Sequence, residues 1–122
     1  MAAEDAPVPE AAADTGFRDP YDPYDPYVVP VSGDMDLDHA GELRETLAAA
    51  LSQAPEGADI IVDLRNSSFC DSAGLNTLLD ARRQAVRTGH VLRLAAPSHQ
   101  LLRLLELTGA SSSFPLDASV PG

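Results

Sequence analysis

Between Val28 and Leu107 the apolar residues recur in two alternating rhythms. The short runs "VVPVS" (28–32), "DIIVDL" (59–64) and "VLRLA" (91–95) are rich in β-branched and aliphatic side chains and predict strands. The run at 59–64 has almost no polar interruption, as in a strand buried on both faces. Between these runs the spacing lengthens to the helical period. Ala40, Leu43, Leu47 and Leu51 predict a helix over 38–51 with Asp38 as its N-cap. Leu75, Leu78, Leu79, Ala81, Ala85 and Val86 predict the inner face of a second helix over 72–88, closed by Gly89 in the position of a C-cap glycine. Leu101, Leu104 and Leu105 predict a third helix over 98–107, stopped by "TGA" at 108–110. "GDMD" (33–36) and "SQAPEG" (52–57) are turns. Strands that alternate with helices imply parallel crossovers, so the expected fold is α/β with helices packed on a sheet.

Before Val28 neither rhythm is present. Residues 1–27 carry seven acids against the single base Arg18, so they hold −6 of the chain's net charge of −11. They include "DPYDPYDPY" (19–27), in which a proline at every third position removes backbone donors and fixes φ. Residues 1–27 are therefore expected to be a disordered acidic leader, 28–118 the folded domain and 119–122 a short tail. Tyr21, Tyr24 and Tyr27 offer the leader a means of docking to a partner.

Charge and composition then narrow the function. All eight basic residues are arginines, and at a net charge of −11 direct nucleic-acid binding is not expected. No run approaches the ~20 apolar residues that span a bilayer, and the start "MAAEDAPVPE" has no basic and apolar signal regions. A cytoplasmic location away from membranes is the expectation, and the single Cys70 fits a reducing compartment. Enzyme chemistry finds little footing. His39, His90 and His99 are scattered, no glycine-rich phosphate loop is present, and no Cys/His cluster has metal-ligand spacing. No catalytic residue, metal or cofactor is expected.

The chemistry-bearing stretch is "FCDSAGLNTLLDARR" (69–83), which joins the strand at 59–64 to the second helix. Loops at the carboxyl ends of strands commonly carry function in α/β sheets. Either Asp71 or Ser72 can cap the helix by accepting from its first-turn N–H groups. Gly74 lies inside that first turn, where glycine costs up to ~1 kcal/mol relative to alanine, so a close backbone approach is one reason for it. A phosphate on Ser72 would meet the partial positive charge of the helix N-terminus while adding negative charge beside Asp71. Arg82, Arg83 and Arg87 make a basic edge further along the same helix, either a solvated face or a surface for an acidic patch.

Three segments, "VSGDMDLDHAGELRETL", "IIVDLRNSSFCDSAGLNTLL" and "GHVLRLAAPSHQLLRLLELTG", together resemble the STAS domain of bacterial anti-sigma factor antagonists over about residues 28–116. The D-S-x-G-L motif after "VDL" is the most specific element. The resemblance implies a single STAS-like domain with a mixed, mostly parallel sheet. It also implies a binding module that is not an enzyme. The unphosphorylated form binds an anti-sigma factor that is itself a serine kinase and carries the ATP, which frees the sigma factor. The resemblance further implies that phosphorylation at Ser72 ends that binding and that a PP2C-type phosphatase resets it. By position, Ser72 is the phosphoacceptor and Asp71 shapes its surroundings. Gly74, Leu75 and Asn76 lie on the partner-facing start of the helix, with Asp36 nearby between Asp34 and Asp38. Ala73 stands where many relatives carry a second hydroxyl, and prolines occupy the place of the family's usual first strand. That strand is expected to be short, displaced or absent, and Pro30 suits an edge. An open edge allows a monomer or a weak dimer. The competing readings are a non-switch STAS subunit or scaffold of a lipid-transport or stress-signalling complex, and a hydrolase that would need a base for Ser72.

Overall fold

In the computed structural model, which describes residues 25–121, four strands lie in the order β1-β2-β3-β4. They are β1 (Tyr27–Ser32), β2 (Ile60–Asn66), β3 (Leu92–Ala95) and β4 (Leu116–Asp117), and all three neighbouring pairs are parallel. A helix fills each crossover: α1 (Ala40–Gln53), α2 (Ser72–Arg87) and α3 (His99–Leu107). The expected structure of residues 1–24, including most of the Asp-Pro-Tyr repeat, lies outside the described residues. β1 takes in Tyr27, one residue before the expected boundary.

One core joins the sheet to the helices. Val29, Ile60, Val62, Leu64, Leu92 and Leu94 share one face of the sheet by strand alternation. They pack with Leu43 and Leu47 of α1, Leu75, Leu78, Ala81 and Ala85 of α2, and Leu101 and Leu105 of α3. Burial of each such leucine or isoleucine contributes about 1.5–3 kcal/mol. The opposite face carries Ile61, Asp63, Arg93 and Asp117, with Arg93 forked onto Asp117, its Nε and Nη2 donating to Oδ2 and Oδ1 at 2.9 Å each. Asp63 is buried there, and the Arg65 guanidinium that binds it at 2.9 and 3.1 Å holds its carboxyl below the usual carboxylate range. β2 is thus buried from Ile60 to Leu64, as its unbroken apolar run requires.

The helix ends differ in instructive ways. Asp38 is not the N-cap of the first helix. Asp36 caps a 3-10 turn (Leu37–His39) by accepting from the His39 N–H at 3.1 Å, and that turn leads into α1. α1 runs on past Leu51 to Gln53, because its alanine-rich end favours helix until Pro55. On α2, Leu79 is half-buried and Val86 is 60% exposed, so Val86 is not part of the inner face, while Thr77 is. Gly89 takes φ +83° just past α2, the left-handed conformation of a C-cap glycine. β4 has only two residues between Pro115 and Ala118 and was not legible as a strand.

Candidate functional site

Past the ends of β1 and β2, two loops remain paired. Met35 and Cys70 form an isolated parallel bridge, in which the Met35 N–H donates to Phe69 O at 2.9 Å and the Asp71 N–H donates to Met35 O at 3.0 Å. The turn at 33–36 is thereby held against the segment that enters α2. Asp71 fastens the junction with both carboxylate oxygens. Oδ1 accepts from the Gly74 N–H at 3.0 Å as the N-cap of α2, and Oδ2 accepts from the Leu37 N–H at 3.1 Å. An N-cap of this kind is worth about 1 kcal/mol, and the second bond adds a tie between two loops.

Gly74 is required by this closeness. A Cβ at position 74 would run into the Met35 carbonyl, with the carbonyl carbon only 2.7 Å away. The helix start and the loop therefore touch backbone to backbone. From the far side Gln100 of α3 grips the same segment. Its Oε1 accepts from the Cys70 N–H and its Nε2 donates to Cys70 O, both at 2.7 Å. Cys70 itself is fully buried, and burial, followed by the nearby Asp71 charge, pushes its thiol up to about 12. At neutral pH it is a small core residue and not a nucleophile.

On this frame Ser72 is the first residue of α2. It is exposed, and its hydroxyl has no hydrogen-bond partner among the described residues. The choice between Asp71 and Ser72 as cap is thus settled in favour of Asp71. Asn76, one turn further along α2, is also exposed. Gly74 and Leu75 are buried, so they lie beneath this surface rather than on it. Asp36 sits on the adjoining turn, where its carboxylate meets the His39 ring nitrogen Nδ1 at 2.6 Å. That hydrogen bond lowers the Asp36 pKa and raises that of His39. The loops 33–39 and 67–72 carry four carboxylates, Asp34, Asp36, Asp38 and Asp71, and one titratable cation, His39.

Two apolar side chains border the surface without burial: Leu37 is 74% exposed and Phe69 42%. Sequence reasoning missed them, although a leucine between aspartates and a phenylalanine after two serines are each unusual in polar turns. It also missed Gln100, whose place on an amphipathic helix gave no signal, and His39 as the partner of Asp36. Among the described residues no group of three or more His, Cys, Asp or Glu is placed to hold a metal ion. No helix among them is long and apolar enough to cross a membrane. The arrangement is a shallow, acidic surface with an unencumbered hydroxyl, apolar borders and a rigid base.

Comparison with known proteins places this arrangement in a family. The family model described as "Mlab, STAS domain" matches residues 23–116. The anti-sigma-B factor antagonist of Bacillus subtilis is 31% identical over 94 residues, which span 77% of this chain and 84% of the relative. Among solved structures, the phosphorylated form of the Bacillus cell fate determinant SpoIIAA is similar with a TM-score of 0.53 and 26% identity, over 75% of this chain and 81% of that one. A sulfate transporter family protein from Wolinella succinogenes shares the fold with a TM-score of 0.65 at 18% identity, over 77% of each chain. Loop pairing, capped helix and sequence likeness thus agree, and the chain belongs to the STAS-domain family of anti-sigma factor antagonists.

Proposed function

We propose that this protein is an anti-sigma factor antagonist whose binding surface is built around Ser72 and switched by phosphorylation of that residue. Unmodified, the surface of Ser72, Asn76, Asp36, Leu37 and Phe69 binds an anti-sigma factor that is a serine kinase. That binding frees the sigma factor. The kinase brings its own ATP and transfers the γ-phosphoryl group to the Ser72 hydroxyl, and a PP2C-type phosphatase removes it by hydrolysis. The protein is substrate and ligand in this cycle, not catalyst.

The observation that carries the reading is the division of labour between neighbours: Asp71 caps α2, and Ser72 is left exposed with no bond to keep. A phosphoryl group therefore breaks nothing inside the domain. It sits at a helix N-terminus, which carries roughly +0.5 charge and tolerates anions. Outwardly it adds about −1.5 to −2 charge units to loops that already hold four carboxylates. A partner that packs on Leu37 and Phe69 would have to desolvate that charge, so contact is lost while the fold stays intact. The relationship to an anti-sigma-B factor antagonist supports the role, and the phosphorylated form of SpoIIAA supports modification as part of it.

The test uses the host's anti-sigma factor kinases, purified, with this protein as wild type, Ser72→Ala and Ser72→Asp. The expected result is one kinase that binds wild type and Ser72→Ala, phosphorylates wild type alone on Ser72, and binds Ser72→Asp at least 10-fold more weakly. Equal binding of all three, with no phosphate on Ser72, would give the protein instead to a non-switch STAS subunit or scaffold of a lipid-transport or stress-signalling complex.

A further inference from the structure

The basic edge of α2 plays no part in the Ser72 surface. Arg83 and Arg87 follow Ser72 on the same helix by about 16 and 22 Å, at a rise of 1.5 Å per residue. There they line one wall of a groove whose other wall is α1, where Arg44 stands. The two helices lie side by side and run in the same direction, because each returns the chain between parallel strands. Asp80 is the single acid of the lining.

Helix chemistry does not account for these arginines. Arg83 is paired with Asp80, while Arg44 and Arg87 have no ion-pair partner among the described residues. This holds in a chain whose net charge is −11, where acids are in excess. Arg83 and Arg87 stand at i, i+4, where like charges on a helix repel. Arg87 complements the dipole at the end of α2, but Arg44 lies in the second turn of α1 and has no dipole to complement. Its neighbours at i±3 and i±4 are Ala40, Gly41, Leu47 and Ala48, and none is acidic. The groove is thus a local cationic site for which the fold itself supplies too little counter-charge.

Between the walls the floor is apolar. Leu47 and Ala81 are buried, Leu51 is half-buried, and the small Ala48 leaves room above it. On α2 the lining runs from Thr77 to Arg87, about 15 Å or roughly three helical turns. An apolar floor between charged walls is the complement of an amphipathic helix whose apolar stripe is bordered by carboxylates. Nucleic acid and anionic membrane fit less well, because each sets an extended negative surface against a chain of net charge −11. A short segment held within about 8 Å, the screening length at physiological salt, meets the arginines alone.

We propose that the groove between α1 and α2 is a second docking site, for an acidic amphipathic helix of a partner protein. Carboxylates of that helix pair with Arg44 on one wall and Arg87 on the other, and its apolar stripe rests on Leu51, Ala48 and Ala81. Ser72 lies about two screening lengths or more from Arg83 and Arg87, so charge placed on it does not govern the groove. This partner therefore binds whatever the state of Ser72.

The test is an amide NMR titration of the full-length chain with a synthetic helical peptide of leucine, alanine and glutamate, whose glutamates flank a leucine stripe. The same peptide with glutamine for glutamate is the control. Shifts are expected at 44–51 and 77–87, with Asp36, Leu37, Phe69 and Ser72 unmoved, and with the same midpoint in Ser72→Asp. Binding is expected to weaken at least 10-fold in Arg44→Gln/Arg87→Gln and in 0.5 M salt, where the screening length is about 4 Å. Arg103→Gln, at an exposed position of α3, is expected to leave it unchanged. Absence of shifts, equal binding of the glutamine peptide, or dependence on Ser72→Asp overturns the proposal. So do equal shifts from inorganic phosphate, which would give the groove to a small anion. Shifts at the same residues on concentrating the protein alone would give it to a second copy and overturn the proposal too. If the double variant unfolds, Arg44→Gln alone and the salt series decide.

Discussion

Asp36 and His39 make the one close acid–histidine contact among the described residues, and it stands at the edge of the Ser72 surface. The hydrogen bond between them raises the His39 pKa above its ordinary value near 6.5 and lowers that of Asp36 below 3.8. The raised histidine contributes stability that is complete below about pH 6.5 and is lost as pH rises through its folded value. The lowered carboxylate contributes stability that is present above about pH 3.8 and is lost as pH falls through its folded value. The turn at 36–39 is therefore held best in the acidic window between these limits. In an NMR titration, Asp36→Asn is expected to move the His39 midpoint down toward 6.5. An unchanged midpoint would assign the shift to Asp38 or Glu42 instead, whose charges raise it less. At neutral pH the same contact sets how much positive charge His39 lends to an otherwise acidic surface.

The junction of loop and helix is specified by contact rather than by propensity. By helix propensity alone, Gly74→Ala would stabilise α2 by up to ~1 kcal/mol. The Met35 backbone leaves no room for the added methyl, and overpacking of this kind typically costs about 1–3 kcal/mol. The expected result is a lower urea midpoint for Gly74→Ala, with the largest amide shifts at residues 34–37. A raised midpoint would mean that the loop moves aside at little cost. The sequence carried part of this. A glycine in a first helical turn was visibly out of place, and the periodicities located every helix. It could not show which backbone comes close, because Met35 and Gly74 are brought together by the Met35–Cys70 bridge beyond the ends of β1 and β2. Asp38 reads as the cap because it directly precedes the periodic apolar run, and only the 3-10 turn over Leu37–His39, which periodicity does not show, moves the cap to Asp36. Gln100 gave no signal at all, since its partners are backbone atoms, which leave no mark on composition.

Among the described residues, β1 is an edge strand of the sheet, and this bears on the association state. The Tyr27 N–H points toward β2, where it donates to Asp59 O at 2.8 Å. Alternation then turns the position-30 nitrogen outward, so Pro30 removes a donor from the open side and none from the ladder. The register also shifts between Pro30 and Ser32, which twists the strand away from a flat template. Strand addition by a second copy is disfavoured on both counts. Sedimentation equilibrium is expected to return the mass of one chain from micromolar to millimolar concentrations. A mass that climbs toward two chains, and climbs further in Pro30→Val, would show that the edge pairs.

The contact between Gly74 and Met35 also bears on descent. The space beside the Met35 carbonyl is already filled, so no single codon change at position 74 adds a side chain without displacing the neighbouring loop. A lineage built on this packing can leave glycine there only by remodelling the bend at 33–37 in company. Any side chain at 74 is thus coupled to a change in the bend at 33–37, although 38 residues of chain lie between positions 35 and 74.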